Sequence, residues 1–120
     1  METQSSKQYG LEERTFKFAK SCRLFVKELL KTVGNIEDGK QLVRSSGPVH
    51  ANFIEAVEAL SRKDFYHRVK ICRKESKESR SWILLSDMMG NKTLEQKQKE
   101  LTQEATELMR IFGSIIEKKK

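Results

Sequence analysis

Five polar residues, Arg44, Asn52, Glu55, Glu75 and Glu78, have the types and spacing to do chemistry in a chain otherwise organised by apolar stripes. Each is expected on or beside a stripe that packs inward, where an unpartnered polar or charged group is strongly destabilising. Two gathered carboxylates can work as an acid-base pair or hold a metal ion. An arginine set between them neutralises both through its planar fork. Neither Glu75 nor Glu78 has a histidine three or four residues away, so the Glu-x-x-His ligand pair of metal-binding bundles is missing. The five residues are therefore expected to form a structural polar network, with no catalytic residue, no metal and no cofactor.

A second group is basic. From Arg62 to Arg80 the chain carries eight Lys/Arg against three acids. Lys63, His67, Lys70, Lys74 and Lys77 recur at helical spacing, and Arg73 and Arg80 broaden the stripe. Such a face can follow a phosphate backbone, with Tyr66 available to stack on a base. A charged outer face is also what any solvated helix presents, and no helix-turn-helix or RNA-binding signature accompanies it. His50 and His67 have no second ligand at metal spacing and are expected to be exposed or hydrogen-bonded. Asn91-Lys-Thr93 fits a glycosylation pattern, but without a secretory signal it is turn chemistry.

Four helices must position these residues. Leu11, Thr15, Phe18, Cys22, Phe25 and Leu29 alternate in steps of four and three, predicting a helix over 11–33 that Ala19, Val26, Leu30 and Val33 widen. Gly34-Asn35 is a suitable stop. A second helix is predicted over 36–59, with Leu42, Ser46, Val49, Phe53, Ala56 and Leu60 inward and a kink or break at Pro48. The stripe keeps its phase across the proline, which favours the kink. Ser61 is the expected N-cap of the third helix, whose seam is Phe65, Val69, Cys72, Ser76, Ser79 and Ile83. Gly90-Asn91 should close it, and Thr93 with Gln96 should cap a fourth helix along Leu94, Leu101, Ala105, Leu108, Phe112 and Ile115. Short turns between long amphipathic helices predict an all-α, antiparallel up-down-up-down four-helix bundle over 11–117. Residues 1–10 are expected to be loosely ordered, and 118–120 to form a basic end.

In a hairpin turning near residue 60, facing positions have numbers summing to about 120. Arg44 then meets Glu75 and Glu78, Asn52 meets Arg68, and Glu55 meets Phe65. An oligomer interface is a further way to complete Asn52 and Glu55.

Composition sets wider bounds. At 120 residues and with a net charge of +7, the chain is one domain for which an acidic partner is plausible, nucleic acid before anionic membrane. The same charge can serve solubility alone. Cys22 and Cys72 read as buried hydrophobes rather than metal ligands or a disulfide. No secretory signal and no apolar run of membrane-spanning length is expected, giving a cytoplasmic protein without a membrane partner. Phe16, Val43, Ile54, Val57, Trp82, Met109 and Ile116 lie off the main seams, which points to self-association.

The stretches Leu11-Glu-Glu-Arg-Thr-Phe-Lys-Phe-Ala19, Gly39-Lys-Gln-Leu-Val-Arg-Ser45, Ala51-Asn-Phe-Ile-Glu-Ala56, Lys63-Asp-Phe65 and Lys74-Glu-Ser-Lys-Glu-Ser79-Arg-Ser-Trp-Ile83 resemble the 23S rRNA intervening sequence proteins, or S23 family. The resemblance covers residues 11–89. It implies a bacterial, cytosolic helical bundle that often assembles into a homopentamer, with no assigned activity. Some members of the family are encoded inside intervening sequences of 23S ribosomal RNA genes. A related branch, the accessory variability determinants of diversity-generating retroelements, binds nucleic acid and a reverse transcriptase. The chain departs from the family pattern at Ser46-Gly47-Pro48-Val49-His50, where members usually have serine in place of Pro48. The expected role is that of an oligomeric structural or adaptor protein touching RNA or DNA through the basic helix. The alternative is a protein-protein interaction module with no nucleic-acid role.

Overall fold

The apolar stripes fold as four helices in a computed structural model, which describes residues 2–119 and their side chains from Gly10 onward. The helices are α1 (Glu2–Glu28), α2 (Val33–Val57), α3 (Arg62–Leu85) and α4 (Lys92–Glu117). The expectation of a loosely ordered segment over 1–10 falls almost wholly outside the described side chains.

Each helix packs on its neighbours in sequence, and α1 packs on α4, so the four close into a ring with α1 opposite α3. Contacts fix the directions. Ser45 meets Ser79 and Asn52 meets Arg68 across α2 and α3. Arg80 meets Thr106 and Ile83 meets Gln98 across α3 and α4. Thr15 meets His50, and Val26 meets Gly39, across α1 and α2. Across α1 and α4, Arg14 meets Glu104 and Glu28 meets Lys97. In every pair the numbers rise on one helix as they fall on the other, so neighbouring helices are antiparallel.

The core is made by the predicted seams. Phe18, Phe25, Phe53 and Phe112 supply its largest fully buried side chains, with Leu42, Ile83 and Leu108 beside them. Ser46, Ser76 and Ser79 of the predicted seams are buried as well, as is Ser45, which the seam did not include. Ser45 and Ser79 pair Oγ to Oγ at 2.8 Å, and Ser76 donates to the Cys72 carbonyl at 2.8 Å. These small side chains leave room for α2 and α3 to approach. Gly39 allows the same of α1 and α2, since a Cβ there would stand 2.8 Å from Val26 Cγ1.

Helix ends differ from the expected ones. α1 stops at Glu28 rather than Val33, because Thr32 caps α2 by accepting from the Asn35 amide at 3.1 Å. Gly34-Asn35 therefore lies in the first turn of α2 and is no stop. Leu30 and Val33, expected to widen the α1 stripe, are exposed. At the far end α2 closes at Val57, leaving Leu60 fully exposed in the turn. α2 runs through Pro48 as one helix, so the break is excluded. Ser46, Val49 and Phe53 stay buried on both sides of the proline.

Ser61 caps α3 as expected, accepting from the Asp64 amide at 3.0 Å. α3 closes earlier than Gly90-Asn91, at Leu85, where Ser86 donates to the Trp82 carbonyl at 2.9 Å. Met89 and Gly90 then turn the chain at φ values of 52° and 77°. Asn91, not Thr93, caps α4 by accepting from the Leu94 amide at 3.0 Å. An Asn side chain reaching two or three residues ahead outcompetes the downstream threonine for the helix's free amides.

Candidate nucleic-acid interface and polar network

Arg44 does not sit between Glu75 and Glu78. The core stripe of α2 passes through Leu42, Ser45, Ser46 and Val49, and one residue is about 100° of helix rotation. Arg44 is thereby turned outward and exposed, and Ser45 occupies the facing position against Ser79. Among the described residues Arg44 makes no ion pair with either glutamate. Glu55 and Glu78 are exposed too, while Asn52 and Glu75 are half-buried. The five residues therefore do not form one network.

Two fragments of it exist. Asn52 Oδ1 accepts from Arg68 Nη1 at 3.0 Å, as the hairpin spacing predicts, and Asn52 Nδ2 donates to the Pro48 carbonyl at 3.0 Å. Asn52 thus links the turn following the proline to α3. Glu75 and Glu78 share Lys74, each at 3.9 Å. Burial, and then the neighbouring Glu78 charge, holds the Glu75 carboxyl above its ordinary pKa, against a smaller opposite pull from Lys74.

An arginine clasped by two carboxylates does occur, at a place the spacing rule did not reach. Arg14 on α1 donates from Nε to Glu104 Oε2 at 2.9 Å and from Nη2 to Glu104 Oε1 at 2.6 Å. The same Nη2 donates to Glu107 Oε1 at 2.9 Å. Hydrogen bonding to Glu104 raises the Arg14 pKa. Bonds from Gln103 and then Arg14 hold Glu107 below the usual carboxylate range. The clasp ties α1 to α4, the most sparsely packed of the four neighbouring helix pairs.

Asn35 is a second polar device absent from the predicted set. It is buried, and its Nδ2 donates to the carbonyls of Leu30 and Asp87, both at 2.9 Å. Its Oδ1 accepts from the Asp87 amide at 2.9 Å. One amide thus joins the α1–α2 turn to the α3–α4 turn. A Gly-Asn dipeptide was a fair signal for a turn, but its cross-bundle partner has no local signature.

The histidines behave as ordinary side chains. His50 Nδ1 and the buried Thr15 hydroxyl lie 3.0 Å apart, and Phe16 packs edge-on to the imidazole. His67 is exposed. Cys22 and Cys72 are free and buried, and burial pushes both thiols up to about 12. Among the described residues no group of three or more His, Cys, Asp or Glu could hold a metal ion. Among the described residues no helix is long and apolar enough to cross a membrane.

The basic stripe divides in the structure. Lys63, His67, Lys70, Arg73, Lys74 and Lys77 are all exposed. Arg80 is half-buried, and its Nε donates to Thr106 of α4 at 2.9 Å, so it serves packing. Lys74 leans toward the glutamates on its own helix. Tyr66, Lys70, Arg73 and Lys77 follow one another at i, i+4, i+7 and i+11, a single line on α3. That line borders α4, where Arg73 passes 3.9 Å from the Cβ position of Gly113. At its end Tyr66 packs edge-on to Phe65, and Lys119 Nζ stands 5.7 Å from the Tyr66 ring centroid.

Apolar exposure also differs from the sequence expectation. Phe16 and Ile54 are exposed as expected, but Val57, Trp82 and Ile116 pack against the core. Most of the other exposed large apolar side chains lie near the two turns joined by Asn35: Leu30, Val33, Ile36, Leu84, Leu85 and Met89.

Comparison with known proteins places this bundle. A crystal structure of a protein of unknown function from the S23 ribosomal protein family of Bacteroides thetaiotaomicron VPI-5482 superposes with a TM-score of 0.76. It is 26% identical, and the match covers 92% of this chain and 98% of that one. No curated protein sequence matches significantly. The family model described as 23S rRNA-intervening sequence protein matches residues 7–114. With nine-tenths of its length inside that match and the same four-helix fold, the chain belongs to the 23S rRNA-intervening sequence protein family.

Proposed function

We propose that this protein is a non-enzymatic structural or adaptor protein of the cytoplasm that contacts RNA or DNA through the outer face of α3. The observation that carries this reading is the line Lys70, Arg73 and Lys77, exposed and, among the described residues, without an ion pair to a carboxylate, in a chain of net charge +7. Phosphate binding needs mobile cations unneutralised by neighbouring acids, and this line provides them. Self-association into a homo-oligomer, a pentamer by family resemblance, would repeat the line around a ring and raise avidity without new contacts. Exposed Phe16 and Leu24 on α1 support such assembly.

The test is binding of a labelled ribosomal RNA fragment at 50 mM salt (roughly the low-salt regime where such contacts are strongest), followed by a salt titration. Binding that weakens with salt and is reduced in a Lys70→Ala/Lys77→Ala variant is the expected result. Light scattering at micromolar protein should give a multimer mass. The exposed apolar end formed by Leu30, Val33, Leu84, Leu85 and Met89 favours a second reading, a protein-interaction module whose charge serves solubility. Absence of RNA binding with an intact fold would favour it.

A further inference from the structure

Resting on the nucleic-acid reading above, we infer that the bound form is a single strand, with one unstacked base held in the aromatic pocket at the Tyr66 end of the α3 line. The pocket has a volume of about 520 Å³. Phe53, Phe65, Tyr66, Ile111 and Ile115 form its walls, with Arg14 at one side. A duplex keeps its bases stacked inside and offers nothing to such a pocket, whereas every unpaired base has an apolar face and a polar edge.

Placement joins the pocket to the cationic line. Tyr66 is both a wall of the pocket and the first member of the i, i+4, i+7, i+11 series that continues through Lys70, Arg73 and Lys77. At 1.5 Å per residue, Tyr66 to Lys77 spans about 16 Å, the length of a few nucleotides. Where α4 meets the line, at Gly113 beside Arg73, it presents no side chain. The acids of α3 that engage a lysine, Glu75 and Glu78, take Lys74 instead. Among the described residues Lys70, Arg73 and Lys77 thus have no ion-paired carboxylate, which leaves their charge for phosphates. Lys118 and Lys119 add two cations at the pocket's rim, and Lys119 already rests over the Tyr66 ring, so a base can replace a flexible side chain rather than a packed one.

Fluorescence anisotropy with a labelled single-stranded 12-mer of uridines and a duplex of the same length tests this. The single strand should bind about tenfold more tightly. Tyr66→Ala should weaken single-strand binding about five- to tenfold, leave the salt slope unchanged, and leave duplex binding unchanged. Tyr66→Phe should bind like the parent, which separates stacking from loss of fold. Lys70→Ala/Lys77→Ala should instead flatten the salt slope. Equal or tighter duplex binding overturns the single-strand inference. So does single-strand binding indifferent to Tyr66→Ala, while salt-dependent binding through the lysines would leave the broader nucleic-acid reading standing. Absence of binding to either probe overturns both.

Discussion

At the residue scale, the informative contrast is between two arginines. Arg14 reaches two carboxylates on another helix, and Arg44 points to water. Arg14→Ala should destabilise by about 1 kcal/mol, a modest value because the pair is partly exposed and screened. Arg44→Ala should change stability by no more than about 0.5 kcal/mol. Urea titrations of the two variants check both. The Arg14 contribution depends on pH. Glu107 is held below its ordinary pKa, so its share is complete above the unfolded carboxylate value and fades as pH falls through the lowered folded one. The Arg14→Ala penalty should therefore shrink in acid.

Glu75 has the opposite sign. Its folded pKa is raised, so the ionised form opposes folding above that pKa, and the opposition disappears as pH falls through it. Glu75→Gln should stabilise the protein by up to about 0.5 kcal/mol at neutral pH and have no effect in acid. A stability-against-pH profile of parent and variant that stays parallel would contradict this.

At the element scale, helix interiors were legible and helix ends less so. Seam residues repeat with the period that burial requires, so Thr15, Ser76 and Ser79 are recognisable as inward although they are polar. Ends depend on which of several nearby capping side chains wins, and Thr32 and Asn91 won over Gly34-Asn35 and Thr93. Arg44 was misplaced by one residue, which on a helix is enough to turn it from core to solvent. The hairpin rule worked for Asn52 and Arg68 because a tight turn fixes the register of α2 on α3. It could not reach Arg14 and Glu104, which are 90 residues apart and meet only because the ring closes. Asn35 is likewise nonlocal, joining turns 52 residues apart. Asn35→Ala strands two carbonyls and one amide, and should cost about 2–3 kcal/mol. Thermal unfolding checks it, and a melting temperature within a degree or two (roughly the shift of a mutation below 0.5 kcal/mol) would mean water replaces the amide.

At the scale of the whole molecule, the bundle presents two unlike surfaces. One end carries exposed leucines around the turns tied by Asn35, and the α3 flank carries the cationic line ending at the Tyr66 pocket. The basic stripe was visible in the sequence, but its division was not, because ion pairing of Lys74 and packing of Arg80 depend on neighbours. Composition alone could not separate nucleic-acid contact from solubility. The structure sharpens the question by leaving Lys70, Arg73 and Lys77 in one row.

The most direct measurement is the salt dependence of binding to a labelled ribosomal RNA fragment, made on the parent and on Lys70→Ala/Lys77→Ala. Log affinity should fall linearly with log salt in the parent, and the slope should be shallower by about 1.4 in the variant, near 0.7 per lost phosphate contact on a single strand. No binding at low salt, or an identical slope in the variant, would contradict a nucleic-acid role for this face.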